Sequence, residues 1–342
     1  MPIPTTMRAL QLRAYDGKPE SLVLVEKPVP RPGKGQVLVK ITATPVNPSD
    51  AGFIRGLYAM QKKLPVTPGF EGSGTVVASG GGFMANALVG KRAACSAPFD
   101  GDGTWAEYMV TSAKMCIPLR KHVSLEQGAM LIVNPMTAWA LLDIAKRDGH
   151  RAVVQSAAAS ALGRMILRLG QRLGITVINV VRRQEQVDLL QSLGAKYVFN
   201  SSAPDFEEHL HQLSHQLHVS LALEAVSGEI SGYILRALPK GAKMIVYGAV
   251  SEQGCKIDPR SLIFDGKRLE GFWLSEWARH KSMLGQIRAA MHVQKLLASD
   301  LKTEVRARLP LEEVVKGLQQ YSAQMTEGKI LLVPHGSKTH TE

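Results

Sequence analysis

Cysteine is scarce in this chain of 342 residues, with only Cys95, Cys116 and Cys255. The three are far apart, odd in number and outside any C-x-x-C pair, which supports neither a disulfide framework nor a zinc-finger site. No uninterrupted apolar run is long enough for a membrane span, and the first residues contain no apolar signal region. We therefore expect a protein of a reducing compartment, located in the cytoplasm.

Acidic residues are outnumbered: 41 lysines and arginines against 29 aspartates and glutamates give a net charge of +12. The basic residues are dispersed, with no long basic run and no patch of interleaved aromatics. Specific nucleic-acid binding is therefore not expected, although the charge keeps an RNA-binding role open as an alternative. A basic field would equally attract anionic cofactors or acyl carriers.

The hydrophobic pattern predicts an α/β protein of two domains. Short strands broken by glycine and proline fill residues 7–120 and predict a small barrel-like β domain. Helices begin near residue 125, and six strands then alternate with helices, which predicts a doubly wound parallel sheet. The strands are expected at 152–154, 176–181, 197–200, 219–225, 243–249 and 269–274, with helices near 125–131, 136–145, 204–216, 229–238 and 276–298.

The tail at 303–334 returns to β character around one helix and is expected to fold back onto the β domain. This predicts a discontinuous catalytic domain of residues 1–123 and 299–342, and a nucleotide-binding domain of residues 124–298.

A βαβ unit at residues 151–183 indicates a dinucleotide site. Its first strand leads through small residues (156–161) into an amphipathic helix, and its second strand ends at Arg182 and Arg183. Free N–H groups at the start of such a helix can hold a pyrophosphate. Two arginines in place of an acidic residue suit a 2′-phosphate, so the unit predicts NADPH rather than NADH. The expected contacts at the helix start are Ser160, Ala161 and Leu162.

The glycine motif of such a site, G-x-G-x-x-G, is incomplete here. Only Gly163 is present, and alanines or serine occupy the earlier places from Ala157 to Ala161. Alanine resists the positive φ that glycine adopts freely. An α/β repeat that binds no nucleotide therefore remains an alternative.

Five segments in order resemble the medium-chain dehydrogenase/reductase superfamily over nearly the whole chain. They are VNPSDAGFIRGLY (46–58), PGFEGSGTVV (68–77), VNPMTAW (133–139), GAKYVFN (194–200) and LIFDGKRLEGFWL (262–274). Together they look like the zinc-free branch of quinone reductases and trans-2-enoyl thioester reductases. The resemblance implies a GroES-like β-rich catalytic domain beside a Rossmann domain.

The positions that hold zinc ligands in related alcohol dehydrogenases carry other residues here. Asn47 and Asn134 stand where cysteines would be and Phe70 where a histidine would be, while Glu71 persists. Zinc needs about four N, S or O ligands held tetrahedrally, which this set cannot supply. We therefore expect no metal in the reaction.

Tyr58 is the expected catalytic residue. In enoyl thioester reductases of this branch, an N-P-S-D segment is followed by a glycine and then a tyrosine proposed as a donor, and this chain has NPSD at 47–50, Gly56 and Tyr58. Reduction of an enoyl group places negative charge on the carbonyl oxygen, and a phenol can donate a hydrogen bond or a proton to it. The alternative is a tyrosine that packs at the edge of the cleft.

Other cofactor or substrate contacts are expected at the carboxyl edge of the parallel sheet and near the nicotinamide. Asn47 and Thr137 are expected at the nicotinamide end, although each could instead serve a local turn or helix cap. Tyr197 could stack near the adenosine phosphate or be a strand-edge aromatic. The remaining expected contacts are Tyr247, Gly248, Phe272, Trp273 and Lys329, with Trp273 also a catalytic wall or, alternatively, a core or dimer residue.

The sequence therefore predicts an NADPH-dependent oxidoreductase that reduces an activated C=C bond, with a trans-2-enoyl thioester favoured. A quinone or an enone is the alternative substrate, and a cofactor-binding protein with an RNA-binding or structural role is an alternative of another class. The resemblance also implies a homodimer, through edge pairing of the Rossmann sheet near 269–274.

Overall fold

The computed structural model describes residues 2–323, 326 and 328–336. The chain divides into two compact units: unit 1 is Met1–Val133 with His292–Glu342, as far as these stretches are described, and unit 2 is Asn134–Met291. Unit 1 is β-rich and unit 2 is built on a parallel sheet, which confirms the expected fold class. Among the described residues, every helix is too short or too polar to cross a membrane.

The strands, in chain order, are β1 Thr6–Leu12, β2 Leu22–Pro28, β3 Gln36–Pro45, β4 Glu71–Ser79, β5 Arg92–Ser96, β6 Tyr108–Ser112, β7 Cys116–Pro118, β8 Ala152–Gln155, β9 Thr176–Val181, β10 Tyr197–Asn200, β11 Leu221–Glu224, β12 Lys243–Val246, β13 Arg268–Gly271, β14 Val305–Leu309 and β15 Lys329–Leu332.

The helices are α1 Pro48–Ile54, α2 Phe83–Leu88, α3 Leu125–Ala129, α4 Asn134–Arg147, α5 Ala161–Leu173, α6 Gln184–Ser192, α7 Phe206–Gln216, α8 Glu229–Ala237, α9 Pro259–Ile263, α10 Leu274–Arg279, α11 Met283–Leu296 and α12 Val314–Ala323. Short 3₁₀ turns occur at Pro19–Ser21, Ala113–Met115 and Leu311–Glu313.

Unit 1 is built on a separate hairpin and a seven-stranded sheet, which is antiparallel except for the parallel pair of β14 and β15. The hairpin pairs β1 with β2, and the sheet follows the order β14-β15-β3-β4-β5-β7, with β6 also paired to β3. Apolar residues on β3 and β4, such as Val39, Ile41 and Val76, are fully buried in one core. A second core around Phe53 and Trp105 lies beneath α1. The packing of α1 on this core fixes the helix, and the helix in turn positions the segment that follows it.

Unit 2 has the strand order β10-β9-β8-β11-β12-β13, all parallel, which is the doubly wound order. The central strand β8 is buried along its whole length, as expected where helices cover both faces of a parallel sheet. The strand order reverses beside β8, and ligands of such folds bind at the carboxyl ends of the strands at this point. Helix α5 follows β8 and ends at Gly174, whose φ of +69° gives a left-handed cap.

Three expectations about the elements need correction. The single helix expected at 276–298 is two helices, α10 and α11, because the Ser282 side chain accepts the N–H of Gly285 and caps a new helix. Helix α4 begins at Asn134, so Thr137 lies inside its first turn and is not its cap. Helix α3 packs against β3, β4 and β5, which places it in unit 1 and not in the expected second domain of 124–298.

Candidate active site

Tyr58 lies just beyond the first helix of unit 1. Helix α1 begins with Pro48 at its first position, where the missing N–H costs nothing. The chain leaves α1 through Gly56, whose φ is +72°. Two residues later Tyr58 is half-buried, and its ring centroid lies 4.7 Å from that of Phe70 with a tilt of 40°. The local sequence therefore places Tyr58 in the turn that follows a helix anchored by its buried residues Asp50, Phe53 and Ile54.

Asn47 and Lys329 belong to a buried polar network in the same unit. The Lys329 ammonium donates to the Asn47 side-chain oxygen and, at 3.4 Å, to the Val46 carbonyl. The Asn47 amide nitrogen donates to Glu71 Oε1 at 2.9 Å. The other Glu71 oxygen accepts the backbone N–H groups of Ile132 and Val133, both at 2.9 Å.

Burial shifts the protonation equilibria of this network. Burial raises the pKa of Asp50 from 3.8 to about 7, against two backbone N–H groups that favour the carboxylate. Burial also raises the pKa of Glu71 and lowers that of Lys329 from 10.5 to about 8, while the neighbouring carboxylates favour the charged ammonium. An uncompensated charge in this interior would be costly, so the network is stable only with its partners in place.

The structure thus brings Asn47 and Lys329 together, and assigns them a shared task that the sequence did not indicate. Both side chains are almost fully buried, and the Lys329 ammonium and the Asn47 side-chain oxygen are hydrogen-bonded to each other. Their contact with a cofactor stays a prediction. Sequence reasoning missed Asp50 and the bonding role of Glu71, although both carboxylates stand in segments that carried the family resemblance.

The turn before α5 in unit 2 is built for close backbone approach. Ala157 adopts a φ of +49°, the conformation that the missing glycine would have supplied. Ser160 caps α5 by accepting the Gly163 N–H at 3.0 Å. A Cβ on Gly163 would lie 2.4 Å from the carbonyl oxygen of Ala158, so only glycine fits there. Alanines therefore keep the shape of the turn at a conformational cost.

A buried carboxylate joins this turn to the neighbouring strand. Glu224 ends β11 and accepts the Ser156 hydroxyl at 2.8 Å. It also accepts the backbone N–H groups of Val226 at 2.9 Å and Ser227 at 2.8 Å. The Ser156 oxygen in turn accepts the Ala225 N–H at 2.8 Å. Glu224 therefore ties the loops after β8 and β11 together, a role the sequence analysis did not predict.

Arg182 and Arg183 directly follow β9, as expected, and both are exposed. Among the described residues, no carboxylate pairs with either guanidinium. Strand β10 ends beside them, where Ser201 N–H donates to Val181 and the Ser202 hydroxyl donates to the Arg182 carbonyl at 3.0 Å. Sequence reasoning missed these serines, although they directly follow a strand that it predicted.

Tyr197 does not join this group. It is the first residue of β10 and pairs in register with Ile178, three residues before the end of β9. Its ring lines a surface groove with Thr176 and Gly174, near the amino ends of the strands, and Lys196 lies 5.0 Å from the ring centroid. The expectation that Tyr197 stacks near the adenosine phosphate is therefore not supported, because the strand begins there and the cofactor end of the sheet is opposite.

Four expected contacts meet at the carboxyl ends of β12 and β13. Tyr247 and Gly248 follow β12, and Phe272 and Trp273 follow its neighbour β13. A Cβ on Gly248 would lie 2.8 Å from the Ala225 carbonyl oxygen, so two loops touch at this glycine.

The hydroxyl oxygen of Tyr247 is buried without a hydrogen-bond partner among the described residues, and burial raises its pKa. An unsatisfied buried hydroxyl is costly, and a polar group of a bound ligand would satisfy it. Together with the Gly163 turn, this supports a fit between these residues and a dinucleotide.

Two family models match the chain, one in each unit. The model described as "Alcohol dehydrogenase GroES-like domain" matches residues 33–121. The model described as "Zinc-binding dehydrogenase" matches residues 161–289. Among the described residues, no group of three or more His, Cys, Asp or Glu side chains is arranged to hold a metal ion.

Several known reductases are similar to this chain. The mitochondrial enoyl-[acyl-carrier-protein] reductase of Rattus norvegicus is 34% identical over 258 residues, which are 72% of this chain and 66% of that protein. A crystal structure from Mesorhizobium loti, provisionally named as an NADPH:quinone reductase, is 38% identical, with a TM-score of 0.89 over 98% of this chain and 100% of that one. A mycobacterial protein solved in complex with NADPH is 26% identical, with a TM-score of 0.82 over 96% of this chain and 100% of that one.

A GroES-like unit, a doubly wound parallel sheet and these relatives define an oxidoreductase. The chain belongs to the medium-chain dehydrogenase/reductase superfamily, in the zinc-free branch of quinone and enoyl thioester reductases.

Proposed function

We propose that this oxidoreductase uses NADPH to reduce the C=C bond of a trans-2-enoyl thioester, with Tyr58 donating to the carbonyl oxygen of the substrate. The observation that carries the proposal is the presentation of Tyr58 on the turn after α1, with its ring against Phe70. The rat relative named as an enoyl-[acyl-carrier-protein] reductase supports this choice of substrate.

The cofactor side of the proposal rests on unit 2. The turn at Ala157 and the start of α5 offer backbone N–H groups to a pyrophosphate, and Gly163 allows the close approach. Arg182 and Arg183 offer positive charge to a 2′-phosphate. The buried Tyr247 hydroxyl, which has no hydrogen-bond partner among the described residues, could bond to a polar group of the cofactor. The mycobacterial relative was solved with NADPH. NADPH bound there would supply the hydride.

The protein's own part in the reaction is to stabilise charge without a metal. Negative charge develops on the carbonyl oxygen of the thioester, and a phenol stays protonated at neutral pH and can donate to that oxygen. Loss of one such donor typically lowers turnover about 10²–10³-fold. We further propose that Asn47 and Thr137 contact the nicotinamide end and that Trp273 forms a wall of the substrate site.

A quinone is the second candidate substrate, because the similar structure from Mesorhizobium loti carries that name. Reduction of a quinone requires less charge stabilisation by the protein, since the oxygens of the reduced product are intrinsically stable. Tyr58 would then serve packing alone. The proposed cytoplasmic location stays a prediction, since the rat relative is a mitochondrial protein by name.

The deciding experiment follows NADPH oxidation by the purified protein with crotonyl-CoA and a simple quinone in parallel. We expect turnover of the thioester that falls about 10²-fold in Tyr58→Phe. Tyr233→Phe is the matched control, because Tyr233 is a partly exposed tyrosine on α8 of unit 2, outside the proposed contacts. Turnover of the quinone alone, unchanged by Tyr58→Phe, would contradict the proposal and establish the quinone alternative.

A further inference from the structure

Phe70 joins Tyr58 to a chain of aromatic rings in unit 1. The Phe70 ring centroid lies 4.7 Å from that of Tyr58 and 5.5 Å from that of Phe53. Phe53 in turn meets Tyr15 edge to face, with centroids 5.3 Å apart. Phe53 is buried on α1, whereas Phe70 and Tyr58 are half-buried, so the row of rings leads from the core to the phenol.

The backbone of Phe70 is held from several sides. Its N–H donates to Asp50 Oδ1 at 3.0 Å, and its carbonyl accepts the Ala97 N–H at 2.9 Å. The preceding Gly69 has a φ of +97°, and a Cβ there would lie 2.4 Å from the buried ring of Trp105. Phe70 therefore has little freedom to shift along or across the sheet.

The segment that carries Tyr58 has no regular structure of its own. After Gly56 the chain forms turns and bends, and the Leu57 N–H donates to the Gly52 carbonyl at 2.9 Å. Beyond Tyr58, the backbone N–H and carbonyl of Lys62 both bond to the Tyr15 hydroxyl, at 2.7 Å and 2.8 Å. Phe70, whose backbone is held, therefore offers a fixed surface against which the Tyr58 ring packs.

We propose that Phe70 is a positioning residue for Tyr58, which holds the phenol by ring contact while Asp50 fixes the Phe70 backbone. The inference rests on the proposed function, in which Tyr58 is the donor. Asp50 also accepts the Asn47 N–H at 2.8 Å, so one buried carboxyl group aligns the start of α1 with the phenylalanine. A small displacement of a donor is enough to lower turnover strongly.

A double-mutant cycle tests this coupling, with kcat and KM measured for crotonyl-CoA at saturating NADPH. We expect Phe70→Ala to lower kcat about tenfold, with little change in KM, because the ring contact aligns the donor and does not bind substrate. In the Tyr58→Phe background, Phe70→Ala should change kcat less than about twofold, because the group it aligns is gone. Phe70→Tyr should restore most of kcat, since it keeps a ring.

Three control variants separate a loss of ring contact from a general loss of packing or stability. Phe70→Leu retains most of the volume and serves if the alanine variant is unstable; it should still lose kcat because it lacks the flat ring. Phe53→Leu disturbs the same core one ring further from Tyr58, and should lower thermal stability without the dependence on Tyr58. Phe83→Ala removes a ring that is 94% exposed in the same unit and should change neither quantity.

The outcomes separate the two proposals. If Phe70→Ala lowers kcat equally in both backgrounds, or if Phe70→Leu keeps full kcat, Phe70 acts through general packing and the inference is wrong while the role of Tyr58 stands. If Tyr58→Phe leaves kcat unchanged, the proposed role of Tyr58 is wrong and the inference falls with it.

Discussion

At the scale of single residues, Ala157 shows how the incomplete glycine motif is accommodated. An alanine at a φ of +49° pays for a conformation that glycine adopts freely. We expect Ala157→Gly to raise the free energy of unfolding by about 0.5–1 kcal/mol, measured by urea denaturation. Glycine removes the backbone strain of the folded state, and this gain exceeds the free energy lost to the larger conformational entropy of the unfolded chain.

Ala158→Gly is the matched control for this change. Ala158 is fully buried and its φ is not positive, so glycine there should lower stability by about 1 kcal/mol. A loss of stability in both variants would mean that the left-handed turn at Ala157 does not form.

The proposed preference for NADPH is assigned to Arg182 and Arg183. Replacing both with glutamine should weaken NADPH binding about 10- to 100-fold, as expected for the loss of charge-assisted hydrogen bonds, and NADH binding by less than about threefold. Fluorescence titration with each nucleotide measures the two affinities. Arg151→Gln, an exposed arginine just before β8 at the other edge of the sheet, should alter neither. Equal weakening of both nucleotides by the double variant would rule out the 2′-phosphate contact.

The raised pKa of Asp50 predicts a pH dependence of stability. Between about pH 4 and 7 the folded state keeps a proton on Asp50 that the unfolded state has released, since the folded pKa is about 7. Stability from this group is therefore greatest at acid pH and is lost as the pH rises to 7, by at most about 1.4 kcal/mol per pH unit. The lowered pKa of Lys329 acts separately, above about pH 8.

Urea denaturation across pH 4.5–7.5 measures this slope, and Asp50→Asn should reduce it, although the variant is less stable overall because it loses an acceptor for Asn47 or Phe70. The exposed Asp100→Asn should leave the slope as it is. An unchanged slope in Asp50→Asn would assign the effect to another group, with the raised pKa of Glu71 as the next to test.

At the scale of elements, the sequence was informative wherever the period of the pattern and a cap residue agreed. Strand β10 was predicted with the observed bounds. Helix α5 ends where Gly174 follows it, because glycine supplies a left-handed cap that few residues tolerate. The break between α10 and α11 was missed, although the four polar residues 279–282 interrupt the apolar pattern there and Ser282 caps the new helix.

For the candidate site, the sequence predicted the positions of residues at strand ends but not the hydrogen bonds between residues far apart in the chain. Arg182 and Trp273 were correctly placed after strand ends, because a parallel sheet fixes where its strands end, and their contacts stay predictions. The bonds of Lys329 to Asn47, and of Glu224 to Ser156, join residues 282 and 68 positions apart. No local pattern encodes such partners, and they could be predicted only by asking what compensates each buried charge.

Glu224 links the loops after β8 and β11, and its replacement should destabilise both loops. Its carboxylate accepts one hydroxyl and two backbone N–H groups, whereas glutamine would turn an N–H₂ group toward one of these donors. We expect Glu224→Gln to lower the free energy of unfolding by about 2 kcal/mol and to weaken NADPH binding, measured by denaturation and by fluorescence titration. Glu185→Gln, on the exposed face of α6, is the control. Weaker stability with unchanged affinity would show that the loop after β8 does not depend on this carboxylate.

At the scale of the whole molecule, each unit has its own core, and each contains some of the proposed site residues. Unit 1 contains Tyr58 and the buried network of Asn47, Glu71 and Lys329, and unit 2 contains the turn at Ala157 and the two arginines. Substitution of Tyr58 should therefore alter turnover, and substitution of the two arginines should alter cofactor affinity. This separation lets kcat and binding constants be assigned to different parts of the chain.

The edge of the parallel sheet predicts how copies of the chain associate. Strand β13 is last in the strand order and its four residues are exposed, and Ile263 and Phe264, which precede it in the chain, are also exposed. An unprotected edge of this kind favours pairing with another strand, and a two-fold axis would bring two copies of β13 together. We therefore propose a homodimer with twice the chain mass of 37.1 kDa.

Light scattering after size-exclusion chromatography tests the homodimer, with Leu269→Asp as the disrupting variant and Val89→Asp, exposed in unit 1, as its control. A charge at Leu269 would be present in both copies of the paired edge, so it should be felt twice in each dimer and give a monomer. The control should remain a dimer. A wild-type monomer would exclude the dimer altogether, and a Leu269→Asp dimer would move the interface away from β13.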